Sequence, residues 1–234
     1  MAITTYPLRH ELKYLINPAE LVYLRSVLDG MLMRDPNGNA DNEYHIRSLY
    51  FDTYKDDALY EKIAGVGNRK KYRIRIYNFS DRLIRLECKQ KIGDLISKQS
   101  VRIPRDLAEQ IIAGDPSGLE YMRHPLLREM FVQMRTRLLH PVVIVDYIRE
   151  AYITDAQEVR ITFDKQLRTG LYSDDLFNPN LPTYPVFDDI KEVLEVKFDQ
   201  FLPAYLQTVL SGVTAERSAV SKYVHCRRYE EKEY

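Results

Sequence analysis

The sequence predicts an α+β fold in which an antiparallel sheet closes into a barrel and carries its helices on the outside. Three observations lead there. First, segments of alternating polar and apolar residues follow one another across short turns: "RKKYRIRIYN", "RLIRLECKQK" and "LISKQSVRI" are separated only by "FSD" and "IGD". Second, the polar positions of these segments hold Arg and Lys more often than carboxylates. Third, amphipathic helical stretches are available to bury the apolar strand faces. Closing such a sheet removes its exposed edges and leaves the charged faces lining a bore.

The elements follow in order. "HELKYLI" reads as a first strand. In "NPAELVYLRSVLDGML", Asn17 suits an N-cap and Pro18 the first helical position, with Leu21, Leu24, Val27 or Leu28, and Leu32 at helical spacing. "RDPNGNADN" is a turn-rich loop. "EYHIRSLYFDT" reads as a strand, and "KDDALYEKIAG" as a short helix ended by Gly65. After the three-strand meander, a helical stretch covers 104 to 139, starting at Pro104 and broken near "GDPSG". "PVVIVDYIREAYI" and "EVRITFDKQL" form a further hairpin. The proline-rich "LFNPNLPTYPVF" leads to a last strand, "EVLEVKF", and the helices "PAYLQTVLSG" and "SAVSKYVHCRR" follow. No repeat or linker divides the chain, so one domain over residues 1–234 is expected.

Composition excludes several classes. The 34 basic and 34 acidic residues cancel, so total charge points to neither DNA nor an anionic membrane. Cys88 and Cys226 are too few and too far apart for a disulfide framework or a zinc site. The longest apolar run, "PVVIV", is too short to span a bilayer, and the N-terminal residues lack a signal-peptide core. A cytoplasmic protein without direct membrane insertion is expected. No glycine precedes a lysine, so there is no P-loop; Gly65 and Gly67 lack the third glycine of a dinucleotide loop. The histidines have no HExxH spacing, and Ser221 lacks the G-x-S-x-G context of a nucleophile.

Period two sorts each strand into two faces. One face carries Glu11 and Lys13; His45 and Arg47; Lys71, Arg73 and Arg75; Arg85, Glu87 and Lys89; Lys98, Ser100 and Arg102; Tyr147 and Arg149; Arg160, Thr162 and Asp164; Glu195 and Lys197. A merely solvated face would mix Thr, Ser, Gln, Glu and Lys. Here cations dominate, and Arg suits bidentate phosphate contacts. Gathered in a low-dielectric bore, like charges repel strongly, and a phosphate-rich ligand offsets that repulsion. Aromatics alternate mostly onto the apolar faces, which argues against single-stranded nucleic acid.

The ordered set "RHELKY", "SLYFDT", "YRIRIY", "LECKQK", "DYIRE", "RITFD", "LEVKF" and "SKY" resembles the VTC domain, the polyphosphate-polymerase domain of the vacuolar transporter chaperone complex. That domain belongs to the CYTH, or triphosphate tunnel metalloenzyme, superfamily. The resemblance runs from Arg9 to Tyr223. It implies a closed eight-stranded antiparallel tunnel holding ATP and inorganic polyphosphate, with a carboxylate-bound Mn2+ or Mg2+. It implies phosphate contacts at Lys13, Arg73, Arg75, Lys89, Lys98 and Arg149, a hydrogen bond from Tyr147, metal binding at Glu195, and contacts from Ser221 and Lys222 at the tunnel mouth. Arg73, Arg75, Lys89, Arg149 and Lys222 are the expected catalytic residues. Arg47 and Arg160 join the substrate-binding set from their strand positions. Glu11, Glu87 and Asp164 stay open between binding metal and orienting cations; for Glu87 the candidate pair partners are Arg85 and Lys89. The superfamily opens with ExExK, whereas Arg9 stands here at the first acidic position, which favours polymerase-type over hydrolase-type members. The expected activity is transfer of the γ-phosphoryl group of ATP to a growing chain. A triphosphate hydrolase and a non-catalytic polyphosphate-binding module are the alternatives.

Overall fold

The computed structural model describes residues 8–154, 158–214 and 219–228. In chain order the elements are β1 (His10–Ile16), α1 (Pro18–Asp29), β2 (Met33–Arg34), β3 (Glu43–Asp52), α2 (Asp57–Ile63), β4 (Asn68–Tyr77), β5 (Ser80–Ile92), β6 (Leu95–Ile103), α3 (Arg105–Ile112), a 3-10 turn (Ser117–Leu119), α4 (Pro125–Arg137), β7 (His140–Ile153), β8 (Val159–Gly170), β9 (Tyr184–Pro185), β10 (Glu192–Phe198), α5 (Ala204–Ser211) and α6 (Lys222–Cys226). The class is α+β. No helix among the described residues is long and apolar enough to cross a membrane.

Local chemistry explains the boundaries. Asn17 caps α1 as expected, and Glu20 reaches back to the Asn17 N–H to complete a capping box. The α2 helix stops before Gly65, whose φ of +73° suits a residue without a Cβ. The long helical stretch divides into α3 and α4, and Pro125 starts the second at its first turn. Of "SAVSKYVHCRR", only Lys222–Cys226 is helical, and Ser218 lies outside the described residues.

All strand pairs on the main path are antiparallel, in the order β1-β10-β8-β7-β3-β4-β5-β6. The path has two ends, so the expected closed barrel does not form as a continuous ladder. Among the described residues, one bridge joins the ends, β1 and β6: Arg9 and Ile96 exchange two N–H···O=C bonds of 3.0 Å. Beyond it the connection is made by side chains, with Glu11 of β1 accepting from Lys89 of β5 at 2.7 and 2.8 Å.

Two apolar clusters lie on one side of the sheet. Ile74, Ile76, Leu86, Cys88 and Ile103 pack against Leu107 and Ile111 of α3 and Leu126, Met130 and Met134 of α4. Ile161, Phe163, Leu194 and Val196 pack against Leu21, Leu24 and Leu28 of α1 and Leu206 of α5. Each fully buried side chain of this size contributes roughly 1.5–3 kcal/mol. A third cluster lies on the opposite, charged side, where Ile46 and Tyr50 of β3 and Val143, Val145 and Tyr147 of β7 meet Leu59 of α2 and Tyr223 and Cys226 of α6. The expectation that helices pack only on the outside is therefore corrected. The Thr169 hydroxyl bonds the Cys226 carbonyl at 2.9 Å and helps hold α6 against this face.

Candidate functional site

The ladder aligns the charged residues in rows. Lys71, Lys89 and Lys98 stand opposite one another on β4, β5 and β6. The next rows are Arg73, Glu87, Ser100 and then Arg75, Arg85, Arg102. Across the other half of the sheet, Lys13, Glu195 and Thr162 form one row, and Arg149 lies opposite Asp164.

Side-chain contacts join these rows into one web. Glu87 accepts from Arg73 Nε at 2.8 Å, from Arg73 Nη2 at 2.7 Å and from Lys98 at 2.7 Å, with Arg75 at 3.8 Å. Its partners are the directly opposite Arg73 and the diagonal Lys98 of the neighbouring strands rather than the expected Arg85 or Lys89 of its own strand. Arg75 donates to Ser48 Oγ and to the Tyr147 hydroxyl, each at 3.0 Å, and Arg73 donates to the Tyr50 hydroxyl at 2.7 Å. The Tyr147 ring lies 5.1 Å from Lys222 Nζ and 5.3 Å from the Arg149 guanidinium carbon, linking this half to the other. There Arg149 holds Asp164 at 2.6 and 2.7 Å and reaches Glu195 at 3.5 Å. Lys222 holds Asp164 at 2.5 Å and Glu195 at 3.3 Å. Lys13 bridges Glu11 at 3.1 Å and Glu195 at 3.2 Å, and Lys197 reaches Glu195 at 2.8 Å. Ser221 is buried and accepts from Lys71 at 3.0 Å.

The structure thus brings together Lys13, Arg73, Arg75, Lys89, Lys98, Tyr147, Arg149, Glu195, Ser221 and Lys222. Arg160 stands at the edge, where its guanidinium meets Asp35 and the Tyr44 hydroxyl. Arg47 is the exception. It points to the helix-covered side, 1% exposed, with Asp146 accepting from its Nε and Nη2 and the Asn178 carbonyl from its Nη1. Its place on the charged face is taken by Ser48 and Tyr50. The apolar residues of β3 fall at Ile46, Leu49, Tyr50 and Phe51, on both faces, so its phase cannot be read by alternation. For the same reason, Tyr44 and Tyr50 were missed as charged-face aromatics.

Electrostatics keep the carboxylates of the web ionised. Burial pushes the Glu195 carboxyl up, but Lys197, Lys222, Lys13 and Arg149 override it and hold it well below the usual range. Glu87 is held down in the same way, by Arg73, Arg75 and Lys98. Burial lowers the Lys89 ammonium to about 7, against the pull of Glu11. Named by residue, the cations Lys13, Lys71, Arg73, Arg75, Arg85, Lys89, Lys98, Arg149, Lys197 and Lys222 outnumber the carboxylates Glu11, Glu87, Asp164 and Glu195.

Among the described residues no three Asp, Glu, His or Cys side chains form a ready-made metal cage. Glu195 nonetheless offers hard oxygen ligands near Glu11 and Asp164, both of which feel its charge. Directly across the ladder, Thr162 Oγ1 is buried without a hydrogen-bond partner. This set fits a divalent ion that takes one or two carboxylates and draws its other ligands from phosphate and water.

Among solved structures, the fold is similar to the PH1819 protein of Pyrococcus horikoshii, with a TM-score of 0.48, 13% identity, and 92% of this chain and 96% of that one covered. It is similar to the Bacillus halodurans protein bh2851, with a TM-score of 0.48, 14% identity, and 87% and 88% covered. The Pct1 RNA triphosphatase of Schizosaccharomyces pombe gives a TM-score of 0.34, 14% identity, and 90% and 78% covered. No curated protein sequence matches. With the model of the VTC domain matching residues 8–230, the chain belongs to the VTC domain family.

Proposed function

We propose that this chain is a polyphosphate polymerase acting in the cytoplasm as one unit over residues 1–234, transferring the γ-phosphoryl group of ATP to a growing inorganic polyphosphate chain. The observation that carries the reading is the semi-enclosed face on which cations outnumber carboxylates. Phosphoryl transfer asks the protein mainly to align the reacting groups and compensate their charge. Arg73, Arg75, Lys89, Arg149 and Lys222 are the residues for that task, with Lys13, Lys98, Tyr147 and Ser221 holding neighbouring phosphates and Arg160 at the edge. Glu87 and Asp164 fix the forks of Arg73 and Arg149 through two hydrogen bonds each. A terminal phosphate oxygen of the chain is already anionic, so it attacks the γ-phosphorus without a protein base while the bond to the ADP oxygen breaks.

Glu195, with Thr162 beside it, is the place for Mn2+ or Mg2+, which when bound supplies further charge compensation at the phosphates. Full closure of the sheet into a tunnel around a polyanion belongs to the same proposal. The test is incubation with ATP and manganese, followed by a gel stained for polyphosphate alongside ADP and free-phosphate measurements. A ladder with matching ADP is expected. Free phosphate without a ladder would make the protein a hydrolase, and neither product would leave a binding module.

A further inference from the structure

The row Lys71, Lys89, Lys98 sets three ammonium groups side by side, an arrangement that destabilises a sheet unless it is compensated. Glu11 compensates Lys89, and Glu87 compensates Lys98, each at 2.7 Å. Lys71 has no carboxylate within ion-pair distance among the described residues. Its Nζ donates to Ser221 Oγ and lies 4.7 Å from the centre of the Tyr223 ring. The cations Lys13 of β1, Lys62 of α2, Arg69 of β4 and Lys89 of β5 act on it. From α6 it meets Tyr223, whose hydroxyl is engaged by Asp52. Glu11, the acid that answers Lys89, is also held by Lys13. Burial and the four cations hold the Lys71 ammonium well below the lysine range. Beside Ser221 opens a cavity of about 180 Å3, lined by Lys62, Ile63, Ala219, Val224 and His225. Burial and the cations Arg228, Lys62, Lys13 and Lys222 also disfavour protonation of His225. This end of the face therefore gathers cations, and the acids near it, Asp52 and Asp56, are engaged by Tyr223 and Arg227.

We propose that Lys71 Nζ and Ser221 Oγ hold a phosphate group of a condensed-phosphate ligand at the α2–α6 end of the charged face. The inference rests on the phosphate-binding reading above and adds to it a position that the carboxylate-paired cations do not supply. A phosphoryl oxygen accepts from both groups, and its charge offsets the repulsion between Lys71 and the cations around it.

Calorimetric titration with tripolyphosphate reads the affinity of the native chain, Lys71→Met and Lys71→Arg, each checked by circular dichroism, with ATP titrated in parallel. Lys71→Met is expected to weaken tripolyphosphate about tenfold. Lys71→Arg, which keeps a cationic donor, retains the affinity. A loss confined to tripolyphosphate places the position on the chain, and an equal loss for ATP places it on the nucleotide tail. Unchanged affinity in Lys71→Met overturns the assignment but not the phosphate reading, whereas absence of tripolyphosphate binding by the native chain overturns both.

Discussion

Glu87→Gln keeps the shape of the side chain and removes one charge from the centre of the web. Glu87 is 1% exposed and answers Arg73 and Lys98 directly. Arg73 and Arg75 then keep the hydroxyls of Tyr50, Ser48 and Tyr147, with a neutral amide oxygen in place of the carboxylate. Breaking a buried ion pair from one side costs about 3–5 kcal/mol. The Lys98 side chain is 49% exposed, so its share is small and the lower part of that range, about 3 kcal/mol, applies. For a chain of this length the midpoint of thermal unfolding falls by roughly 6–12 °C. Because its neighbours hold the Glu87 carboxyl well below the usual range, the stabilisation is complete at neutral pH. It is lost only as pH falls through the lowered value of the folded state. Added tripolyphosphate replaces the missing negative charge, so it should raise the midpoint of the variant more than that of the native chain. Thermal melts with and without the anion decide the matter. Equal midpoints, or equal shifts on adding the anion, would refute the compensation argument.

Three further outcomes follow from the same geometry. Arg47→Met leaves Asp146 buried without its main partner and should lower stability by about 3–5 kcal/mol in denaturant titration, while tripolyphosphate affinity in the folded variant stays unchanged. With the Lys89 ammonium at about 7, polyanion affinity should fall as pH rises above that value, because bound phosphate requires the charged form. Calorimetry across neutral pH checks this, and Lys89→Arg should flatten the profile. Thr162→Val removes a buried hydroxyl without a partner, so it should leave the metal-free protein as stable or raise its stability by about 1 kcal/mol. If that hydroxyl serves an ion at Glu195, the same variant should weaken Mn2+ binding in an equilibrium titration.

Legibility followed burial. Where a strand has one apolar and one charged face, as in β4 with Tyr72, Ile74 and Ile76 opposite Lys71, Arg73 and Arg75, period two gave both the element and the face. Where a strand is buried on both faces, as in β3, alternation carries no phase and sets Arg47 on the wrong side. The bulge at Gln166, with φ of +51°, likewise gave no local signal, although it brings Leu167 onto the same side as Asp164. Pairings between distant residues were illegible for a different reason: Glu87 meets Arg73 and Lys98 through strand register, which no single segment encodes. Register also accounts for a lysine row that strand chemistry alone would disfavour. Two of its three members have acids, and the third, Lys71, meets a serine hydroxyl and the Tyr223 ring with no carboxylate within ion-pair distance among the described residues. Selection for stability alone would place an acid or a neutral residue there. A polyanion that arrives from solution supplies the missing charge only when bound, which makes Lys71 a cost to the empty fold and a contact in the loaded one.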